Sequence, residues 1–137
     1  MRVTNILKVD PKGRITIPLV LREALGIQEG RLLLAIADTE KKELVITPLV
    51  PSEKQIYEIK VELSDKPGAL ADLSERLREM KLDQILTRCA VIRRGEVAEC
   101  IFVVEPLETP SVDVEAVKKE LEALETVYFI TIKPLGK

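Results

Sequence analysis

Hydrophobic and polar positions change period several times along the chain, and each change marks an element. Ile6 to Val9 and Arg14 to Ile17 are short β runs on either side of a tight turn. Asp10 suits the first position of a type I turn, Pro11 the second with its fixed φ, and Gly13 the fourth. Pro18 ends the second run because it has no N–H to give, and its φ is preset for the first turn of a helix. On that short helix Leu21 and Leu25 fall one above the other, and Gly26 stands where a left-handed C-terminal cap belongs. Residues 31–37 and 43–47 read as two further strands joined by a polar turn over 38–42. The first module, residues 1–50, is therefore expected to be ββαββ.

A monomer of that size buries too little apolar surface to be comfortably stable. Leu32-Leu33-Leu34-Ala35-Ile36 is apolar on both faces, as a strand covered on both sides would be. Burial against an identical partner answers both problems, so a homodimer is expected. Pro48, Pro51 and Ser52 then mark a boundary. Residues 51–55 are expected to be a short, semi-stiff linker.

From residue 56 the pattern restarts. Tyr57, Ile59, Val61 and Leu63 alternate with Glu58, Lys60 and Glu62, which predicts a half-buried strand. The turn Ser64 to Gly68 leads into a helix with Leu70, Leu73, Leu77 and Met80 as its apolar stripe. Residues 85–92 and 97–104 are β runs around Arg93-Arg94-Gly95-Glu96, with Gly95 able to take φ > 0. A second helix follows Pro110 and Ser111 with Val114, Val117, Leu121 and Leu124 as its stripe, and residues 127–132 form a last strand. The order over residues 56–137 is βαββαβ, a ferredoxin-like sheet with two helices on one face. The fold class expected for the whole chain is α+β.

If the 93–96 hairpin is centred between Arg94 and Gly95, Cys89 and Cys100 stand directly opposite one another, on the same face as Ile85, Val91, Phe102 and Val104. Opposed side chains lie ~4.5–5.5 Å apart at Cβ, slightly long for an easy disulfide. Two cysteines make no disulfide framework, and a reducing cytoplasm argues against a permanent bond. The pair is expected to be two small core residues, with a redox switch as the alternative. A bulge in the turn would remove the pairing.

Composition narrows the chemistry. Residues 1–50 carry eight Lys/Arg against six Asp/Glu, a net of +2, and the rest carries thirteen against seventeen, a net of −4. A mildly basic head on an acidic body suits a DNA-facing module joined to something else, although the asymmetry alone decides little. The chain has no histidine, no tryptophan and only four aromatics, which excludes His-based triads and histidine metal sites and leaves little for stacking on single strands. No apolar run approaches the ~20 residues of a membrane span, and the N-terminus lacks a signal-peptide core. A soluble, cytoplasmic protein without cofactors is expected. The carboxylates Glu115, Glu120, Glu122 and Glu125 alternate with Lys118 and Lys119 as a solvated helix face. No metal spacing or nucleophile constellation is found, so no enzyme is expected.

The stretch V-D-P-K-G-R-I-T-I-P-L-V-L-R-E-A-L-G-I-Q-E-G resembles the AbrB/SpoVT/MazE type of DNA-binding domain, over roughly residues 3–48. That resemblance implies a swapped-hairpin dimer that binds double-stranded DNA. Lys8 and Arg14 flank the tight turn, Lys12 sits at its tip and Arg22 lies on the helix; doubled by a two-fold axis, they would form one positive face. Such a face neutralises phosphates, and guanidinium groups also fork onto guanine edges. By resemblance Lys8, Arg14 and Arg22 occupy basic positions used on DNA, while Glu23 departs from the pattern. Without the motif the same residues read as solvated surface charge.

V-E-L-S-D-K-P-G-A-L-A-D-L-S-E-R-L, within the βαββαβ order, resembles an ACT domain over about residues 56–134, with D-K-P-G-A-L at the position of that family's ligand loop. The resemblance implies a regulatory module that binds an amino acid between two copies, or one that only mediates association. Asp65, Lys66, Gly68, Ala69 and Leu70 are the candidate ligand residues. Helix N-terminal N–H groups attract a carboxylate, Gly68 leaves that backbone open, and Asp65 is suited to an α-ammonium group. The plainer alternative is that Asp65 caps the helix while Pro67-Gly68 turn the chain. The spacing of a phosphate loop is absent.

Together these readings point to a DNA-binding transcriptional regulator, dimeric or tetrameric, that senses a small-molecule effector, an amino acid. The alternatives are an antitoxin-type regulator and a regulatory or scaffolding subunit of an enzyme without a DNA role.

Overall fold

The computed structural model describes residues 2–50 and 53–136, and the chain divides into two compact units, Met1–Pro51 and Ser52–Lys137. The boundary markers Pro51 and Ser52 lie outside the described residues.

In the first unit Asp10, Pro11 and Gly13 build the expected turn. Gly13 N–H donates to the Asp10 carbonyl at 3.0 Å, and Asp10 N–H to the Arg14 carbonyl at 2.9 Å. The Asp10 carboxylate tightens it by accepting from the N–H groups of Lys12 (2.9 Å) and Arg14 (2.8 Å). Beyond that turn the expected arms, 6–9 and 14–17, are not strands. An isolated two-stranded hairpin is marginal in water, and these arms have little apolar cover: Ile6 is 99% and Val9 61% exposed. The unit is thus not ββαββ but one helix and a two-stranded sheet: α1 (Leu19–Leu25), β1 (Leu33–Asp38) and β2 (Glu43–Pro48).

Pro18 precedes α1 as its N-cap, and Gly26 ends it at φ 68°, with Ile27 N–H reaching back to the Arg22 carbonyl at 2.9 Å. β1 and β2 pair antiparallel from Leu33↔Pro48 to Asp38↔Glu43, and the Asp38 carboxylate closes their turn by accepting from Glu40 and Lys41 N–H. None of residues 2–50 is buried.

The second unit has the βαββαβ order: β3 (Ile56–Ser64), α2 (Ala69–Glu79), β4 (Leu82–Arg93), β5 (Val97–Pro106), α3 (Val114–Glu122) and β6 (Val127–Leu135). The sheet runs β4-β5-β3-β6 with every neighbour antiparallel, which is the ferredoxin-like connectivity. Along β3 the expected alternation holds: Tyr57, Ile59, Val61 and Leu63 are buried, and Lys60 between them is exposed. Their partners Val104, Phe102, Cys100 and Ala98 on β5 extend the same apolar face. Leu73 and Leu77 of α2 and Val117 and Leu121 of α3 pack onto that face, so both helices cover one side. Fully burying a leucine contributes ~1.5–3 kcal/mol, which makes this cluster the main stabilising term of the unit.

Two expectations of the helix and hairpin patterns need correction. Leu70 is 42% exposed and Ala69 is 2% exposed, so the buried stripe of α2 runs Ala69–Leu73–Leu77. The helix begins at a left-handed Gly68 (φ 90°), and that entry turns Ala69, not Leu70, towards the sheet. In the hairpin, Cys89 does face Cys100 and Leu86 faces Val103, but the register shifts between Gln84 and Leu86 and again between Val91 and Arg93. Ile85 therefore drops out of pairing with Val104, whose partner is Gln84. A bulge of this kind inserts one unpaired residue and bends the strand.

Candidate functional site

In the first unit the four candidate cations lie within fifteen residues of chain. Lys8, Lys12, Arg14 and Arg22 are all exposed. Their placement follows from the local chemistry. The Asp10 carboxylate accepts from Arg14 Nε at 2.8 Å as well as from the Arg14 N–H, so the guanidinium is held over the turn by its inner edge. Its side chain stays 71% exposed. These bonds from Arg14 hold the Asp10 carboxyl below its ordinary pKa, helped by the Lys12 N–H. Arg22 is oriented in a similar way, with Nε donating to the Ile17 carbonyl at 3.0 Å across the start of α1. An arginine fixed by Nε still presents its terminal nitrogens as a planar fork, the geometry that matches phosphate and guanine edges.

The same unit carries exposed apolar side chains: Ile15 at 42%, Leu19 at 58%, Leu25 at 51%, Leu32 at 62% and Leu44 at 58%. A soluble monomer rarely leaves so much apolar surface bare.

The second candidate site is a cavity of about 150 Å³ at the end of the β3–α2 connection, lined by Asp65, Lys66 and Leu70 together with Cys89, Val91 and Cys100. Gly68 and Ala69 are not among its lining residues; Gly68 forms the helix entry and the Ala69 side chain is in the core. Asp65 does not cap α2, whose N-cap position has no side-chain hydrogen bond. Instead its Oδ2 accepts the Gly95 N–H at 2.8 Å and its own N–H donates to the Glu96 carbonyl at 3.2 Å. The carboxylate is thus fixed against the β4–β5 turn, beside this small, half-open cavity.

Sequence reasoning left the cysteines and Val91 out of this site. The signal for them was present in the hairpin register, which placed Cys89 opposite Cys100. They are not two free core thiols, however: Cys89 and Cys100 are joined as a disulfide, their Cα atoms 4.1 Å apart. Direct opposition on adjacent strands brings the two side chains to one point. Cys89 is exposed and Cys100 is 1% exposed. Among the described residues no cluster of His, Cys, Asp or Glu is arranged to hold a metal ion, and no helix is long and apolar enough to cross a membrane.

Three comparisons bear on these sites. No curated protein matches the chain. Among solved structures, the P2 domain of chemotaxis kinase CheA in complex with response regulator CheY, from Thermotoga maritima, is similar at 22% identity and a TM-score of 0.41, covering 59% of this chain and 98% of that one. The solution structure of the C-terminal domain of the MgtC protein from Mycobacterium tuberculosis is similar at 16% identity and a TM-score of 0.46, covering 63% of this chain and 93% of that one. Likenesses at that level carry no argument about function. The family model described as antidote-toxin recognition MazE, bacterial antitoxin, matches residues 6–54, which span the turn, α1 and the β1–β2 sheet. The match supports an AbrB/MazE-type domain at the N-terminal end of the chain, and such a domain fits a DNA-binding regulator or an antitoxin.

Proposed function

We propose that the chain is a DNA-binding transcriptional regulator that works as a homodimer, with residues 6–17 of two copies pairing to complete each other's sheets. The observation that carries this reading is the lack of any buried residue in 2–50, in a segment rich in leucine, isoleucine and valine. A second copy would supply the missing strand partners and cover the apolar side chains. It would also double Lys8, Lys12, Arg14 and Arg22 into one cationic face that grips duplex DNA.

The second unit, in this reading, is an ACT-like sensor that takes an amino acid in the cavity beside Asp65, Lys66 and Leu70. Coupling is proposed through the connector, whose flanking residues are each anchored within their own unit. Leu49 N–H donates to the Leu32 carbonyl at 3.0 Å, and its own carbonyl accepts Arg31 Nε at 2.8 Å. On the other side Lys54 Nζ reaches the Leu107 carbonyl at 2.8 Å and Gln55 Nε2 the Leu135 carbonyl at 2.9 Å. A preference of the ligand for one pairing of the sensor units would then bias the DNA heads, with a coupling free energy of typically ~1–3 kcal/mol. Pairing through both units would allow tetramers, which bring two DNA-binding heads together.

The test is binding of the full chain to duplexes selected from a random pool, followed by fluorescence anisotropy across a salt series. With six to ten phosphates neutralised, affinity falls by ~10³–10⁵ between 50 and 200 mM salt. Absence of selected duplexes would leave an enzyme-associated regulatory subunit as the better account. The family match over residues 6–54 favours a second reading, an antitoxin. Against it, a toxin-wrapping tail is disordered when free, whereas residues 53–136 form a packed sheet here. Co-purification of a toxin from the native source would restore that reading.

A further inference from the structure

We propose that Cys89–Cys100 is a reversible thiol–disulfide site whose oxidation state sets the rigidity of the cavity wall, its exchange partner being a dithiol or a glutathione-class thiol. The proposal stands apart from DNA binding and from the identity of any ligand.

Four observations carry it. First, the sheet does not need the bond to hold its strands: Arg88↔Ile101 and Ala90↔Glu99 continue the ladder on either side of Cys89↔Cys100. Second, the two sulfurs differ in access. Cys89 lies exposed on β4, an edge strand, while Cys100 is buried on β5. An incoming thiolate can therefore reach only one end of the bond readily, and exchange rate follows access.

Third, beyond Cys89 the strand is held by its ladder with little buried side-chain contact. Residues 90–93 are all exposed, and the register shifts between Val91 and Arg93. Few buried contacts mean a low cost of local opening. Fourth, the hairpin end is tied to the loop that lines the cavity, through Gly95 N–H to Asp65 Oδ2 at 2.8 Å and Asp65 N–H to the Glu96 carbonyl at 3.2 Å. Loosening the hairpin is thereby passed to Asp65, and both cysteines line the same cavity.

The chemistry balances without any further reagent. A thiolate attacks Cys89 Sγ, forming a mixed disulfide and releasing Cys100 as a thiolate that takes a proton from solvent. A second thiolate then attacks the reagent sulfur of the mixed disulfide and releases Cys89, which is protonated in turn. Two electrons pass from two reagent thiols to the protein, and the reagent leaves as its own disulfide. The reverse steps restore the bond.

The experiment uses the folded full chain. It is equilibrated in buffers of varied reduced-to-oxidised glutathione ratio and quenched by alkylation, and the doubly alkylated fraction is read by mass spectrometry. Hydrogen exchange is then compared between the oxidised chain, the chemically reduced chain and the Cys89→Ser/Cys100→Ser variant. The expected result is interconversion under native conditions, with amides over 90–97 and 65–68 exchanging roughly tenfold faster in the reduced chain and the α2 and α3 amides unchanged. The reduced wild type gives the answer even if the double variant fails to fold. A bond that opens only in denaturant, opening that leaves both segments unchanged, or reduction that unfolds the whole unit would each overturn the proposal.

Discussion

Asp10 holds Arg14 at two points, accepting its backbone N–H and its Nε, each at 2.8 Å. A turn residue thus aims a cation, and the order of the tight turn and the direction of the guanidinium stand or fall together. The Asp10 carboxyl sits below its usual value of 3.8 because its ionised form accepts these bonds. A group whose folded pKa is lowered stabilises the turn above the unfolded value and loses that contribution as pH falls through the folded one. An acid titration followed through the amide shifts of Lys12 and Arg14 should therefore show the turn intact at pH 4 and loosening only below 3.8. A midpoint at or above the ordinary carboxylate value would mean that Arg14 is not held this way in solution.

The cations around the turn differ in what their loss should do. Lys8 and Lys12 are point charges on flexible stems, so Lys8→Ala or Lys12→Ala should weaken duplex binding evenly across sequences and reduce the salt slope by ~1 per copy, about 2 per dimer. Arg14 and Arg22 are oriented by Asp10 and by the Ile17 carbonyl. If either fork reads a guanine, its replacement by alanine costs ~1–3 kcal/mol and relaxes preference at one base position. Anisotropy on a selected duplex and on a scrambled one separates the two classes. Identical losses on both duplexes for all four variants would reduce the face to a phosphate binder.

Leu73 and Leu70 give the sharpest contrast on α2. Leu73 is 0% exposed, so Leu73→Ala should cost ~2–5 kcal/mol and lower the melting temperature of the second unit steeply. Leu70 is 42% exposed and lines the cavity, so Leu70→Ala should lie within about 0.5 kcal/mol of the parent. Thermal denaturation of both variants decides it, and equal losses would restore the helical stripe expected from periodicity.

Gly68 enters α2 at φ 90°, with nothing within 4 Å of where a Cβ would stand. Gly68→Ala should therefore suffer from backbone conformation alone, by ~1–2 kcal/mol. A melting temperature equal to the parent's would show that the left-handed entry is not kept in solution.

Much of this architecture was legible because turn chemistry is local. Asp10, Pro11 and Gly13 dictate their turn, Gly26 its helix end, and the alternation from Tyr57 to Leu63 its strand, each from a few neighbouring residues. The position of Arg14 beside that turn was legible for the same reason, since Asp10 fixes both. What escaped depends on geometry without a residue signature. The shifts near Ile85 and Ile92 change the pairing with no glycine or proline to announce them. The entry at Gly68 decided between Ala69 and Leu70, which periodicity alone ranks the other way. The arms 6–9 and 14–17 carry strand composition, yet a strand also needs a partner to bond with. Direct opposition of Cys89 and Cys100 was readable, but bond formation depended on how closely the two strands approach.

The central claim is that a second copy completes the first unit, and contact between chains tests it most directly. Isotope-filtered NMR on full-length protein mixed from labelled and unlabelled chains reports methyl contacts between copies only. The account predicts interchain contacts from Ile6, Val9 and Ile15 to the β1–β2 sheet of the other copy. Interchain contacts confined to the second unit, or none at all, would contradict it.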